Sequence, residues 1–190
     1  NQLPDKYIAL LPGSRKQEIN SLLPVMIELV ANNPNTPFVI AGIEDFAKEF
    51  EATGIPTIYR QTYQVVSHAQ LAIVCSGTAT LETALLKTPL IVVYKTDILF
   101  YTLAKFFVKL TYISLVNIIL NKLAIPELIQ EKFTVKHIES EIQQLFDDQQ
   151  EARKKQLSDF ITLQKLIGDK GASDRIAKKI IQKAMLFVNN

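Results

Sequence analysis

One cysteine in 190 residues rules out an internal disulfide, and a lone thiol suits a reducing compartment. Cys75 ends an apolar run, where a small buried thiol is the expected reading. With only His68 and His137, and no cysteine cluster, zinc has no ligand set. The pair Asp147-Asp148 lies in a Gln-rich helical stretch without the open spacing of a nucleotide-sugar metal clamp, so neither metal nor cofactor is expected. Both G-x-G-x-x-G and G-x-x-x-x-G-K-[ST] are missing, which argues against NAD and against an ATPase. A net charge of +2 and a pI of 8.6 are too mild for a nucleic-acid partner. There is no internal repeat, no low-complexity tract and no signal peptide. The chain opens on "NQLPDK" rather than Met, like a piece of something longer.

What is present is globular material, 48% hydrophobic and 21% charged. Short apolar runs at 7–11, 37–42, 56–60, 71–77 and 89–95 read as strands, nearly unbroken in hydrophobicity. Such runs suit a parallel sheet covered on both faces. Helical patterns near 16–32, 44–53, 62–68 and 78–87 alternate with them, which predicts a doubly wound α/β domain. Pro24 is expected to bend the first helix or to begin a second segment.

Beyond Lys95 the character changes. The stretch 96–120 is strongly apolar and aromatic, broken by Lys105 and Lys109. An amphipathic helix over 134–146 has Thr134 as its cap, and two more follow near 150–167 and 173–187. The sheet is therefore expected to end near residue 120. The division is a nucleotide-sugar-binding domain over 1–130 and a helical segment over 131–190, packed on it or on another domain.

Two strand-to-helix turns carry the chemistry. "LLPGSRKQEI" places Gly13, Ser14 and Arg15 where a helix N-terminus attracts anions, and Arg15 adds a full positive charge. Ser14 and Gln17 also fit a capping box, which explains half the motif but neither the glycine nor the arginine. The second turn, Ser76-Gly77-Thr78, again starts a helix, and both turns belong beyond the carboxyl ends of strands, where open α/β sheets bind ligands. Glu82, one turn into that helix, suits the helix dipole and is also placed for ribose hydroxyls. The residues alone point to a nucleotide or sugar-phosphate and go no further.

Three stretches in order, "LLPGSRKQEI", "SGTATLETALLKTPLIVVYK" and "YISLVNIILNKLAIPELIQ", resemble the carboxy-terminal domain of the bacterial lipid A disaccharide synthase family. The similarity covers about Tyr7 to Gln130 and continues loosely through the final helices. The resemblance implies one Rossmann-like half of a GT-B glycosyltransferase. It implies transfer of 2,3-diacylglucosamine from UDP-2,3-diacylglucosamine to 2,3-diacylglucosamine 1-phosphate (lipid X), with release of UDP. It further implies that Arg15 faces the UDP, that Ser76, Gly77 and Thr78 hold the diphosphate, and that Glu82 holds the ribose. Asn117, Glu127 and Gln130 would line the same cleft; Val116 stands where the family usually has proline before that asparagine. In the family the proposed general base and much of the acceptor site belong to an amino-terminal domain, so the chain reads as half an enzyme.

Three fates are open for 96–120: a helix buried against protein, a bilayer span, or an interfacial helix. In the interfacial reading Lys105 and Lys109 meet anionic head groups while Phe100, Phe106 and Phe107 reach acyl chains. The resemblance favours this peripheral contact at the cytoplasmic face of the inner membrane. It also allows a homodimer, since the family tends to send its last helices to the other domain or a partner protomer. Two alternatives remain: another UDP-N-acetylglucosamine-using GT-B protein, such as the peptidoglycan glycosyltransferase or the 2-epimerase, and a non-catalytic nucleotide-binding or membrane-docking module. The first has turns richer in glycine than Pro-Gly-Ser-Arg and Ser-Gly-Thr-Ala.

Overall fold

The computed structural model describes residues 3–96 and 111–168. Phe100, Lys105, Phe106, Phe107 and Lys109, and the helix expected over 173–187, lie outside the described residues. Five of the strands fall where the apolar runs predict: β1 (Ile8–Leu11), β2 (Phe38–Gly42), β3 (Thr57–Tyr59), β4 (Leu71–Cys75) and β5 (Leu90–Tyr94). A sixth, β6 (Glu127–Ile129), pairs parallel to β5, so the sheet does not end near residue 120. Three residues after Pro126 are too short a run to announce a strand; tertiary pairing makes it one.

All pairings are parallel and the order is β3-β2-β1-β4-β5-β6. The direction of strand addition reverses between β1 and β4, so the crevice of a doubly wound sheet opens beyond their carboxyl ends. The helices are α1 (Lys16–Asn32), α2 (Ala47–Glu51), α3 (Thr62–Ser67), α4 (Thr78–Leu85), α5 (Leu115–Leu120), α6 (Val135–Leu145) and α7 (Glu151–Ile167). α1 runs as one helix through Pro24, without the second segment that the proline suggested. Pro24 is exposed there, and the buried stripe of Ile19, Leu22, Leu23, Met26 and Leu29 continues past it. Packing of that stripe outweighs the lost helical hydrogen bond.

Alternation along the strands divides the core in two. Ile8, Leu10, Ile40, Ile73, Ile91 and Val93 face α1 and α6, with Phe50 of α2 in the same cluster. Tyr7, Ala9, Ala41, Ala72, Val74 and Val92 face α3, α4, α5 and α7. The first face carries mostly Ile and Leu from the strands; the second mixes Ala9, Ala41 and Ala72 with Tyr7, Leu11 and Leu90, and Val65, Ala84, Val116, Phe160 and Leu163 pack against them. Thr134 caps α6, its hydroxyl accepting from the His137 amide at 3.4 Å, as the sequence predicts.

α7 is fastened to the sheet by polar as well as apolar contacts. Buried Gln156 accepts from the Leu90 N–H at 2.7 Å and donates to the Leu90 carbonyl at 3.1 Å. β6 pairs with β5 only from Val92 onward, so the glutamine amide stands in for the missing strand at the start of β5. Arg153, also buried, donates to the carbonyls of Gln70 and Leu145 at 2.6 and 2.8 Å and pairs with Asp148 at 3.0 Å. Burial lowers its pKa, and the charges of Asp148 and Asp147 work the other way. Replacing Gln156 by Leu keeps the volume but strands both Leu90 groups, at about 1–3 kcal/mol for each. We expect Q156L to fold with its urea midpoint lowered; an unchanged midpoint by circular dichroism would remove the side chain from the sheet's support.

Candidate functional site

The turn after β1 is built around a glycine. Gly13 has φ +106°, a conformation L side chains rarely adopt, and a Cβ there would stand 2.8 Å from the Cβ of Glu18. Arg15, in extended backbone, is the N-cap of α1 and Glu18 its N3 residue. The cap is therefore one residue later than the Ser14/Gln17 box that the sequence suggests. Glu18 Oε2 accepts from the N–H groups of Ser14 at 3.0 Å and Arg15 at 3.2 Å, while Oε1 takes Arg15 Nη1 at 3.2 Å. Sequence reasoning passed over Glu18; the signal was a carboxylate three residues after an N-cap. Gln17 donates instead to Thr96 Oγ1 at 3.4 Å.

The turn after β4 differs. Gly77 is extended, with nothing within 4 Å of the position a Cβ would take. Ser76 N–H is used by the Val93 carbonyl at 3.0 Å, but Ser76 Oγ and Thr78 Oγ1 make no hydrogen bond to other described residues. α4 starts here, so the turn presents the leading amides of a helix, which have no intrahelical acceptor. Because β1 and β4 are hydrogen-bonded neighbours, the two turns face one cleft of about 380 Å³. Gly13, Ser14, Arg15, Glu18, Ser76, Gly77 and Thr78 line it, with Thr62 and Cys75 among the remaining walls.

The other expected residues are placed as follows. Glu82 is half-buried on α4 outside the residues lining the cleft, where its hydrogen bond with the exposed Tyr63 phenol raises the Tyr63 pKa. Asn117 is fully buried. Its Nδ2 donates to the Ile125 carbonyl at 2.9 Å and to Glu127 Oε1 at 2.8 Å, and its Oδ1 accepts from the amides of Ala124 and Ile125 at 2.8 and 3.0 Å. Glu127 also receives the N–H groups of Ile113 and Ser114, at 3.0 and 2.9 Å. This satisfied knot fastens the approach to α5 onto β6. Gln130, in the left-handed region at φ +52°, is buried at the end of β6. Its Oε1 accepts from the Thr96 N–H at 3.3 Å, leaving Nε2 buried without a partner among the described residues.

Cys75 is 4% exposed, and burial, with the Glu18 charge second, pushes its thiol up to about 12, against the lowering influence of Arg15. Unfolding returns the thiol to its ordinary value of 9.0, so its contribution to stability is present below that pH and fades as pH rises towards 12. At pH 8 the native thiolate is scarce, and we expect iodoacetamide to label Cys75 only after urea is added. Fast labelling of the native chain, read by mass, would place the thiol in solvent.

Residues 2–181 match the family model described as lipid-A-disaccharide synthetase. The lipid-A-disaccharide synthase of Syntrophus aciditrophicus is 38% identical over 182 residues, covering 90% of this chain and 47% of that protein. That of Acinetobacter baylyi is 37% identical over 168 residues, covering 77% and 42%. The chain thus spans about half the length of the curated relatives it matches. Among solved structures, a glycotransferase of kitacinnamycin aligns with TM-score 0.59 at 16% identity, over 93% of this chain and 44% of its own. The UDP-GlcNAc 2-epimerase from Neisseria meningitidis, bound to UDP-GlcNAc, aligns with TM-score 0.53 at 15% identity, over 95% and 45%. Those two likenesses concern the fold; the family model and the sequence relatives decide the kinship, and the chain belongs to the lipid-A-disaccharide synthetase family.

Proposed function

We propose that this chain is the nucleotide-binding half of an enzyme that transfers 2,3-diacylglucosamine from UDP-2,3-diacylglucosamine to lipid X, releasing UDP. The observation that supports the reading most is the meeting of two motif-bearing turns in one cleft at the switch point of the sheet. Negative charge develops on the UDP leaving group, and donors fixed in advance towards it lower the barrier. Ser76, Gly77 and Thr78 supply hydroxyls and helix-end amides to the diphosphate, and Arg15 supplies the positive charge across the cleft. Gly13 and Ser14 shape the turn that carries Arg15. Glu82 accepts from the ribose. Asn117 works through Glu127, keeping the β6 side of the edge in place, and Gln130 steadies the chain after β5 by accepting from the Thr96 N–H.

The acceptor and its general base belong, in this reading, to an amino-terminal domain, because a base must lie within hydrogen-bond reach of the hydroxyl it deprotonates. Phe100, Lys105, Phe106, Phe107 and Lys109 form a peripheral contact with the cytoplasmic face of the membrane that holds the acylated substrates. No helix among the described residues is long and apolar enough to cross a membrane.

Two measurements test this. R15A should weaken UDP binding about tenfold by titration calorimetry, the lower end for a hydrogen bond to a charged group, because Arg15 is 82% exposed. Unchanged affinity in the folded variant would take Arg15 out of the site. The 190-residue chain should also bind UDP yet form no disaccharide from lipid X and the UDP donor, followed by mass spectrometry. Turnover by this chain alone would overturn the division of labour.

A further inference from the structure

We propose that Glu18 is a resident anion of the cleft: an internal carboxylate that holds the donors of the β1–α1 turn and competes with an incoming diphosphate for them. The inference rests on the reading that this cleft takes the diphosphate of UDP. A helix N-terminus and its preceding turn form a seat for negative charge, and in this chain the seat is filled from within. Three donors converge on one carboxylate: the N–H groups of Ser14 and Arg15, and Nη1 of the Arg15 guanidinium. Gly13 makes the arrangement possible, since a Cβ at that position would run into Glu18. The carboxylate is not remote from the ligand space either, because Glu18 is itself a wall of the cleft.

On the facing turn, by contrast, the Ser76 and Thr78 hydroxyls make no hydrogen bond to other described residues. A diphosphate entering between the two turns meets the Ser76–Thr78 side unopposed and finds a negative charge on the other. For the β1–α1 amides and the full hydrogen-bonding capacity of Arg15 to serve the ligand, the Glu18 side chain must swing away. Two effects oppose each other. Glu18 restrains Arg15, which favours binding; its charge repels the phosphates, which disfavours it. The restraint is weak, because the Arg15 side chain is 82% exposed and an exposed ion pair contributes little. The repulsion is stronger, because the Glu18 side chain is only 16% exposed and the diphosphate carries more than one charge. Repulsion wins, so Glu18 keeps UDP affinity below what the donors alone would give and favours release of the leaving group.

The test is E18Q, which keeps an acceptor oxygen for the turn amides but removes the charge. We expect UDP and inorganic pyrophosphate each to bind about tenfold tighter than to the wild-type chain. Equal or weaker binding by a folded variant overturns the proposal, since a merely structural cap would give that sign. Should E18Q fail to fold, the wild-type chain decides: saturation with UDP should shift the backbone amide resonances of Ser14 and Arg15 as the carboxylate leaves. Fixed Ser14 and Arg15 signals beside moving Gly77 and Thr78 signals would overturn it equally. If the wild-type chain binds no UDP, pyrophosphate binding by E18Q alone keeps Glu18 as the resident anion and removes the nucleotide reading. Binding of neither anion by either protein removes both.

Discussion

Everything at the cleft depends on the parallel pairing of β1 with β4. Ile8 stands opposite Leu71 and Leu11 opposite Val74, so the two strands end within one residue of each other and their turns lie side by side. A strand rises about 3.3 Å per residue, so a slip of two residues would recess one turn by more than the length of a hydrogen bond. What holds the register is the difference between the two faces. Ile8, Leu10 and Ile73 point to the side covered by α1, and Ala9 and Ala72 to the side where α3 and α4 pack. A one-residue slip of β1 turns Ile8 and Leu10 towards α3 and α4 and Tyr7, Ala9 and Leu11 towards α1, so neither face keeps the side chains it is packed to hold.

The same two-faced burial explains what was legible beforehand. Strands covered on both sides read as solid apolar runs, and β1, β2, β4 and β5 carried that signature between Pro, Gly and polar breaks. β6 did not, because it is three residues long and opens with Glu127, whose carboxylate is used by the amides of Ile113 and Ser114. Nothing local marks such a strand. The two turns were legible from their residues as strand-to-helix turns on one sheet edge, but the owner of the donors in the first was not. That depends on Glu18 folding back over Gly13, a contact fixed by the positive φ of the glycine and not by any pattern of residue types. Asn117 was similarly visible as a polar residue of a motif, while its complete burial follows from the way the chain from Asn121 to Ile125 closes over it.

Polar groups along the carboxyl edge are therefore of two kinds. At the β6 end, Asn117 and Glu127 satisfy one another and the nearby backbone, and such a closed network rigidifies the edge. Gln130 is the exception there. Thr96 N–H can only donate, so the oxygen of the amide must face it, and Nε2 is left as a donor unpaired among the described residues. Nearer the switch point, the β4–α4 turn lines the cleft with the Ser76 and Thr78 hydroxyls, which make no hydrogen bond to other described residues. Rigid support and free donors thus sit side by side on one edge, as a preorganised electrostatic site requires.

Strong binding of a leaving group is no advantage in itself. Interactions as strong in the bound substrate as in the transition state do not lower the barrier, and those that persist in the product complex slow its departure. A cleft whose donors were all open would hold UDP as firmly after transfer as before. In the proposed exchange an internal carboxylate changes that balance without removing a donor: Glu18 would be displaced while the diphosphate is held and would return when it leaves. The cost falls on binding, and the gain appears as an exchangeable site. Glycine at position 13 is then required twice over, for the backbone conformation of the turn and for the room in which Glu18 sits. On that view the Pro-Gly-Ser-Arg turn and the glutamate three residues beyond it are one device, in which the arginine attracts the nucleotide and the glutamate limits how long it stays.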